Sequence, residues 1–178
     1  MNKLLKLPIF LGVVGCLCGG VLSLTNFITK DKIAQDEYER ANAAYYKHFA
    51  EFKTKKEVAL TDELKAGGVT LKEEIFSDEQ QTASLGYIYT CSVVGFAGKS
   101  SPINFTLSFA DGKINNYVNL GHGESAQGAK FLDWLDKGGS NLTNLDAGKA
   151  ETGSSVTYGA ISKAFSLCTA DYLASYNK

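Results

Sequence analysis

The sequence lacks the patterns that most metal-binding and hydrolytic proteins carry. It has no C-x-x-C pair, no H-E-x-x-H motif and no phosphate-binding G-x-x-x-x-G-K-S/T loop. It has two histidines, and the stretch GHGESAQG places Gln127 where the nucleophile elbow G-x-S-x-G requires glycine. Zinc, iron–sulfur, hydrolase and nucleotide-hydrolysing functions are therefore not indicated, and no catalytic residue is assigned.

The sequence also lacks an excess of charge of either sign. Its 18 lysine and arginine residues nearly balance 19 aspartate and glutamate residues, which leaves a formal net charge of −1. It has neither a basic block nor basic residues interleaved with aromatic ones, and nucleic-acid-binding surfaces are typically built from such stretches. No nucleic acid partner is expected.

Cysteine is scarce, with four residues in the chain. Cys16 and Cys18 lie in an apolar run, where ordinary packing is the simplest interpretation, and Cys91 and Cys168 lie in the remainder. Outside the cell these last two can pair, but two cysteines do not make the disulfide framework of a small secreted scaffold. The sequence leaves open whether they form a disulfide.

One long apolar run is present near the N-terminus. No residue from Leu7 to Thr29 is charged, and as a helix this run is roughly 35 Å long at about 1.5 Å per residue, enough to cross a bilayer. Lys3 and Lys6 precede it, and this positive bias places the N-terminus in the cytoplasm. We expect a single-pass anchor in the cell membrane, over residues 1–29, with an extracytoplasmic domain after it.

Two other interpretations of this run compete with an anchor. A cleaved signal peptide requires a shorter apolar core and an A-x-A-like site, and none is evident. A lipoprotein places small residues before an acylated cysteine, and VVGC, which ends at Cys16, fits this loosely, although the chain stays apolar after it. Whether the run is an anchor or carries a lipid on Cys16, the folded part is tethered outside the cytoplasm.

Residues 30–80 are predicted to form a stalk helix and a linker. Apolar and aromatic residues recur at steps of three and four in residues 30–56, with charges on the other face. They are Ala34, Tyr38, Ala41, Tyr45, Phe49 and Phe52. The next stretch, TDELKAGGVTLKEE, contains a Gly67–Gly68 turn and is interpreted as a polar break.

Residues 81–178 are predicted to form the folded domain. GYIYTCSVVGF is rich in aromatic and β-branched residues and predicts a strand. INFTLSFADGKINNYVNL alternates apolar residues on both sides of Asp111–Gly112, which indicates a β-hairpin. AKFLDWLDK predicts a short helix. The fold class is therefore α+β, an antiparallel sheet packed with helices.

The C-terminal stretch predicts a helix preceded by a cluster of hydroxyl side chains. Five residues share one face of this helix: Ile161, Ala164, Phe165, Cys168 and Tyr172. Just before it, TGSSVTYGAI (residues 152–161) holds four hydroxyl side chains ahead of Tyr158. A helix N-terminus favours a phosphate group, although Thr157 or a neighbouring serine can equally be the helix N-cap.

This cluster resembles the S-G-A-T-x-S/T-S-x-A-V motif of the FMN-binding domain family. That family includes flavin-carrying components of the Rnf electron-transport complex and of the sodium-pumping NADH:quinone reductase, and the chain is most similar to the Rnf component. The resemblance implies that Ser155 carries FMN through a phosphoester bond. An alternative register makes Thr157 the acceptor. The implied cofactor-binding residues around the acceptor are Thr152, Gly153, Ser154, Val156 and Thr157.

The resemblance extends over most of the chain, including the anchor, and is weakest over residues 57–84. Before the cluster, the "dGkI" turn and the loop GHGESAQG are similar to the same family, whose loop is H-x-E-T-P-G-x-G. His122, Glu124 and Ser125 take its His, Glu and Thr positions. The resemblance implies that Glu124 and Ser125 contact the flavin or its ribityl chain. Without the resemblance, the simplest role for these side chains is to form hydrogen bonds within their own turn.

The function implied by the resemblance is electron transfer in a membrane complex. A flavin transferase would transfer the FMN half of FAD to the chain, and other subunits of an Rnf-type, redox-driven ion-translocating complex would be its partners. One alternative is a free-standing flavinylated electron carrier outside the cytoplasm. Another is a tethered binding module or lipoprotein without cofactor, favoured by Ser154 and Gln127, which depart from the family pattern.

Overall fold

The structure of the chain, a computed structural model, describes residues 42–137 and 154–176. Its centre is one antiparallel sheet in which each strand pairs with its neighbour in sequence. The strands are β1 (Thr54–Glu57), β2 (Val69–Phe76), β3 (Ser84–Val93), β4 (Ile103–Ala110) and β5 (Lys113–Gly121). The helices are α1, described over residues 42–48, α2 (Asp62–Ala66), α3 (Ala126–Asp136) and α4 (Ser155–Tyr176). The predicted α+β architecture is confirmed.

The turn between β4 and β5 fixes the register of the sheet's second half. Asp111 and Gly112 both have positive φ, 50° and 75°, as a type I′ turn requires. This turn pairs Ala110 with Lys113, and the predicted hairpin is confirmed.

One face of the sheet, here called the α4 face, carries the larger apolar core. The alternate residues of β4 from Ile103 to Phe109 lie on it fully buried, together with Phe131 and Leu132 of α3. The residues predicted for one face of the C-terminal helix are all buried here: Ile161, Ala164, Phe165, Cys168 and Tyr172. Burial of this stripe is what holds α4 on the sheet.

The opposite face, here called the α1 face, has a smaller core with polar groups in it. Phe49 and Phe52 pack there with Ile75 and Ile88. His48, at the end of α1, is buried, and its ring nitrogens lie 2.9 Å from Ser108 Oγ and 2.7 Å from Thr106 Oγ1. The middle of β4 is therefore buried on both faces.

Two boundaries differ from the sequence prediction. The predicted stalk helix over residues 30–56 is wrong at its C-terminal end, because α1 ends at residue 48 and residues 54–57 form β1. The side-chain amides of Asn115 and Asn116 donate hydrogen bonds to the backbone carbonyls of His48 and Lys47. These two carbonyls at the end of α1, which have no partner within the helix, are thereby hydrogen-bonded.

The stretch interpreted as a linker belongs to the domain. It contains α2 and β2, and β2 pairs with β3 along its length. The described residues from Ala44 onward belong to one compact unit, so the domain begins well before residue 81. Within the described ranges no helix is both long enough and apolar enough to cross a membrane. The predicted anchor, residues 1–29, and the start of the stalk lie outside those ranges.

Candidate functional site

Three segments of the chain meet at one end of the sheet. The end of β3 pairs with the start of β4, and the start of β4 pairs with the end of β5, as in Val93 with Ile103 and Asn104 with Gly121. The loop after β3 and the loop before α3 therefore leave the sheet side by side. The N-terminus of α4 joins them through Glu124.

The Glu124 carboxylate links these three segments. It accepts hydrogen bonds from the backbone N–H groups of Phe96 and Ala97, both at 3.2 Å, and from the Thr157 hydroxyl. A side chain at Gly128 would lie 2.9 Å from both Thr157 Oγ1 and Glu124 Oε2, so glycine is needed for this close approach. Glu124 thus fixes the position of the first turn of α4 relative to the loop after β3.

His122 and Ser125 bond within their own turn. The Ser125 hydroxyl accepts a hydrogen bond from Gly128 N at 3.3 Å and is the N-cap of α3. Nδ1 of His122 accepts one from Glu124 N at 3.3 Å. Through these hydrogen bonds both residues stabilise the turn that positions Glu124.

The hydroxyl cluster is divided between the interior and the surface. Ser154 is buried, and its carbonyl accepts a hydrogen bond from Tyr158 N at 2.8 Å. Ser155 is exposed as the first residue of α4, whereas Thr157 is fully buried. Thr157 lies inside the helix, so it is not the N-cap. Thr152 and Gly153 lie outside the described residues.

The surface of α4 next to Ser155 is open, and the first turn of the helix contributes no negatively charged side chain to it. Gly159, one turn further along α4, has open space where a side chain would stand. The first turn of α4 contains no acidic residue. The turn itself therefore supplies no carboxylate to the positive end of the dipole of this 22-residue helix, and Glu124 approaches it from outside the helix through the Thr157 hydroxyl.

Exposed apolar side chains surround this end of the sheet. Among the described residues, six large apolar side chains are exposed, and four of them lie here. Val94 and Phe96 follow β3, Leu120 is near the end of β5, and Val156 adjoins Ser155. Phe96, 63% exposed, is the most exposed of the six.

Sequence reasoning missed the loop after β3 as part of the site. Phe96 and Ala97 contribute through their backbone N–H groups, which no side-chain motif reports. The sequence signal that could have indicated this loop is Gly95 in GFAG. Gly95 lies directly against the Glu124 side chain, where a larger residue would not fit. Comparison with known proteins adds no assignment, since no family model, no curated protein and no solved structure matches the chain.

Proposed function

We propose that the chain is a membrane-anchored electron-transfer flavoprotein subunit that carries FMN covalently on Ser155 through a phosphoester bond. The observation that supports it most directly is the contrast between the two candidate acceptors. Ser155 is exposed on the first turn of α4. Thr157 is buried, and its hydroxyl is already bonded to Glu124. A modifying enzyme can reach the first oxygen without unfolding the helix but not the second.

The environment of Ser155 fits a phosphodiester. Such a group is anionic, and the N–H groups and dipole at a helix N-terminus stabilise negative charge. The space beside Gly159 leaves room for the chain that follows the phosphate. The neighbouring apolar side chains Val156 and Phe96 can cover part of an aromatic ring system that would otherwise face water.

The attachment itself is a group transfer from FAD. The Ser155 Oγ forms a bond to the phosphorus of the FMN half, the bond between the two phosphates of FAD breaks, and AMP leaves. The hydroxyl proton passes to the flavin transferase, which must supply the base because a serine hydroxyl is a weak nucleophile. This chain contributes an exposed hydroxyl held at a fixed position.

In the working protein, FMN when bound supplies the redox chemistry, and the chain orients it. Glu124 is a positioning residue in this scheme, because it ties the first turn of α4 to the loop that carries Phe96. His122 and Ser125 act through the same loop. The assignment of Glu124 and Ser125 as direct flavin contacts, and of His122 as a cofactor-binding residue, stays a prediction.

The membrane anchor and the membership of an Rnf-type complex are part of the same proposal. They derive from the apolar run at residues 7–29 and from the family resemblance of the chain. A single spanning helix cannot form an ion pathway, so any ion translocation would belong to multispanning partner subunits. A free-standing extracytoplasmic carrier is distinguished from a member of a complex by copurification of those partners.

The test is peptide mapping and intact-mass measurement of the full chain extracted from its own membranes. We expect the peptide that contains residues 150–163 to carry the added mass of FMN on Ser155, with visible flavin absorbance that stays with the denatured protein. Ser155→Ala should abolish both signals, while Thr157→Val and the matched hydroxyl variant Ser162→Ala should keep them.

Two results would contradict the proposal. FMN mass on Thr157, with Ser155 unmodified, would show that the accessibility argument fails. An unmodified peptide from a chain coproduced with an active flavin transferase would favour the tethered module without cofactor.

A further inference from the structure

The two cysteines of the described residues face one another inside the domain. Cys91 lies on β3 and Cys168 on α4, and neither has any exposed surface. Their Sγ atoms are 3.9 Å apart. Both are free thiols in the structure, and they join the element at the centre of the sheet to the last helix of the chain.

The backbones that carry these thiols are held together by other interactions. Asp171, one turn after Cys168, accepts hydrogen bonds from Lys72 Nζ at 2.5 Å and from the Tyr89 hydroxyl at 2.7 Å. Lys72 and Tyr89 lie on β2 and β3. The approach of α4 to the sheet therefore does not depend on the sulfur atoms. An S–S bond is about 2.0 Å long, so closure requires the two sulfurs to approach by about 2 Å.

We infer that Cys91 and Cys168 are an oxidisable pair that closes to an intramolecular disulfide, fixing α4 to β3, when the domain folds outside the cytoplasm. The inference rests on the extracytoplasmic location in the proposed function but not on the flavin. Within the domain each thiol has one possible partner, because the other cysteines of the chain, Cys16 and Cys18, lie in the apolar run. Such a domain cannot form a mispaired internal disulfide.

The oxidant belongs to the class of disulfides, either a thiol–disulfide oxidoreductase or a small-molecule disulfide. One cysteine thiolate attacks a sulfur of the oxidant and releases the oxidant's first thiol. The second cysteine thiolate then attacks the protein sulfur of this mixed disulfide and releases the second thiol. The two cysteines lose two electrons, the oxidant gains them, and the two protons end on the released thiols.

Burial determines when this exchange can occur. The hydrogen bond to Cys91 and burial raise the pKa of the Cys168 thiol, so the thiolate that must attack is suppressed in the folded domain. The exchange therefore precedes the packing of α4 on β3. For the same reason the closed bond is expected to resist a reductant until the domain unfolds.

The test uses the full chain extracted from its own membranes into acid, denatured and alkylated without reductant. We expect Cys91 and Cys168 to escape alkylation and to appear as one cross-linked peptide pair, two hydrogens lighter than the separate peptides. After reduction in denaturant both should be alkylated. Dithiothreitol added to the folded protein should leave the pair intact, and reduction after unfolding should lower Tm on refolding by about 10 °C.

The control is Cys91→Ser, in which Cys168 should become fully alkylated without reductant. Because this measurement is made on denatured protein, it does not require the variant to fold. Alkylation of both thiols in the unreduced parent chain would overturn the inference, as would a mixed disulfide of either cysteine with another thiol. The mass of the 150–163 peptide is measured in the same digest, so loss of the flavin and loss of the disulfide are separately visible.

Discussion

Two neighbouring residues of β2 show how differently the faces of the sheet are built. Lys72 is buried on the α4 face, where it pairs with Asp171, whose carboxylate also accepts from the Tyr89 hydroxyl. Glu73 is buried on the α1 face, where it pairs with Lys55 at 2.8 Å and accepts a hydrogen bond from the Tyr45 hydroxyl at 2.6 Å. Each face thus has an ion pair that shares its carboxylate with a tyrosine.

The two ion pairs differ in their access to water. On the α4 face the side chains of Lys72 and Asp171 are 5% and 19% exposed, whereas on the α1 face those of Lys55 and Glu73 are 40% and 6% exposed, so the two pairs differ most in the exposure of the lysine. Loss of a carboxylate leaves its lysine uncompensated, which is costly where that lysine is buried and costs little where it reaches water. The comparison teaches that α4, which carries Ser155, is joined to the sheet by a pair whose disruption water cannot compensate.

The largest predicted effect is that of breaking the pair on the α4 face. Asp171→Asn should lower the free energy of unfolding by about 3–5 kcal/mol, because the buried Lys72 is left without its anion. Urea denaturation followed by circular dichroism measures it. The matched variant Glu73→Gln on the α1 face leaves Lys55, which is 40% exposed, to be solvated by water and should cost at most about 1 kcal/mol. Equal losses in the two variants would contradict the difference between the faces.

The next effect comes from the buried histidine of the α1 face. Burial and the charge of Lys47 lower the pKa of His48 from 6.5 to about 4. The unfolded state then binds more protons between these values, so the stability is fully present above pH 6.5 and falls as the pH drops towards 4, by roughly 3 kcal/mol.

Urea denaturation at several pH values between 7.5 and 4 tests this. His48→Gln, which cannot titrate, should flatten the pH dependence by that amount relative to the parent chain. An unchanged slope in the variant would mean that other groups, and not His48, cause the loss in acid.

A smaller effect is expected where the candidate site joins the α4 face. Thr157→Val removes the hydroxyl that donates to Glu124, at a cost of about 1–2 kcal/mol, because the carboxylate loses one of its partners. Thermal denaturation measures it, with Ser162→Ala as the variant that should stay within about 0.5 kcal/mol of the parent. Equal stability of Thr157→Val and the parent would show that Glu124 does not hold α4.

The smallest predicted effect on stability is that of Ser155→Ala. The residue is exposed at the start of α4, so the free energy of unfolding should change by about 0.5 kcal/mol or less, while the FMN mass is lost. A large destabilisation would indicate that Ser155 has a packing role and would weaken its interpretation as an acceptor.

The β4–β5 hairpin and α4 could be predicted because their signals are local. Asp111 and Gly112 accept positive φ, and the apolar stripe of α4 has helical spacing. β2 could not be predicted in this way, because Lys72 and Glu73 interrupt its apolar alternation. Their partners, Asp171 and Lys55, are brought to them only by the fold.

The candidate site was predictable to a similar extent. The run of hydroxyl residues before a helix is visible in sequence, but the exposure of each hydroxyl is not. Thr157 is buried because it points towards Glu124, which is 33 residues away in sequence. The end of α1 likewise depends on amide donors from β5, so the spacing of Phe49 and Phe52 alone predicted a longer helix.

The shortness and charge of β1 have a consequence for the protein at high concentration. An edge strand with unpaired N–H and C=O groups is a template on which another sheet can add, and this route leads to aggregation. β1 has four residues, TKKE, three of them charged, and one of its carbonyls, that of Lys55, accepts a bond from the Gln81 side chain. A neighbouring copy of this domain, even under crowding, therefore finds at β1 only a short edge with charged side chains and little backbone to pair with.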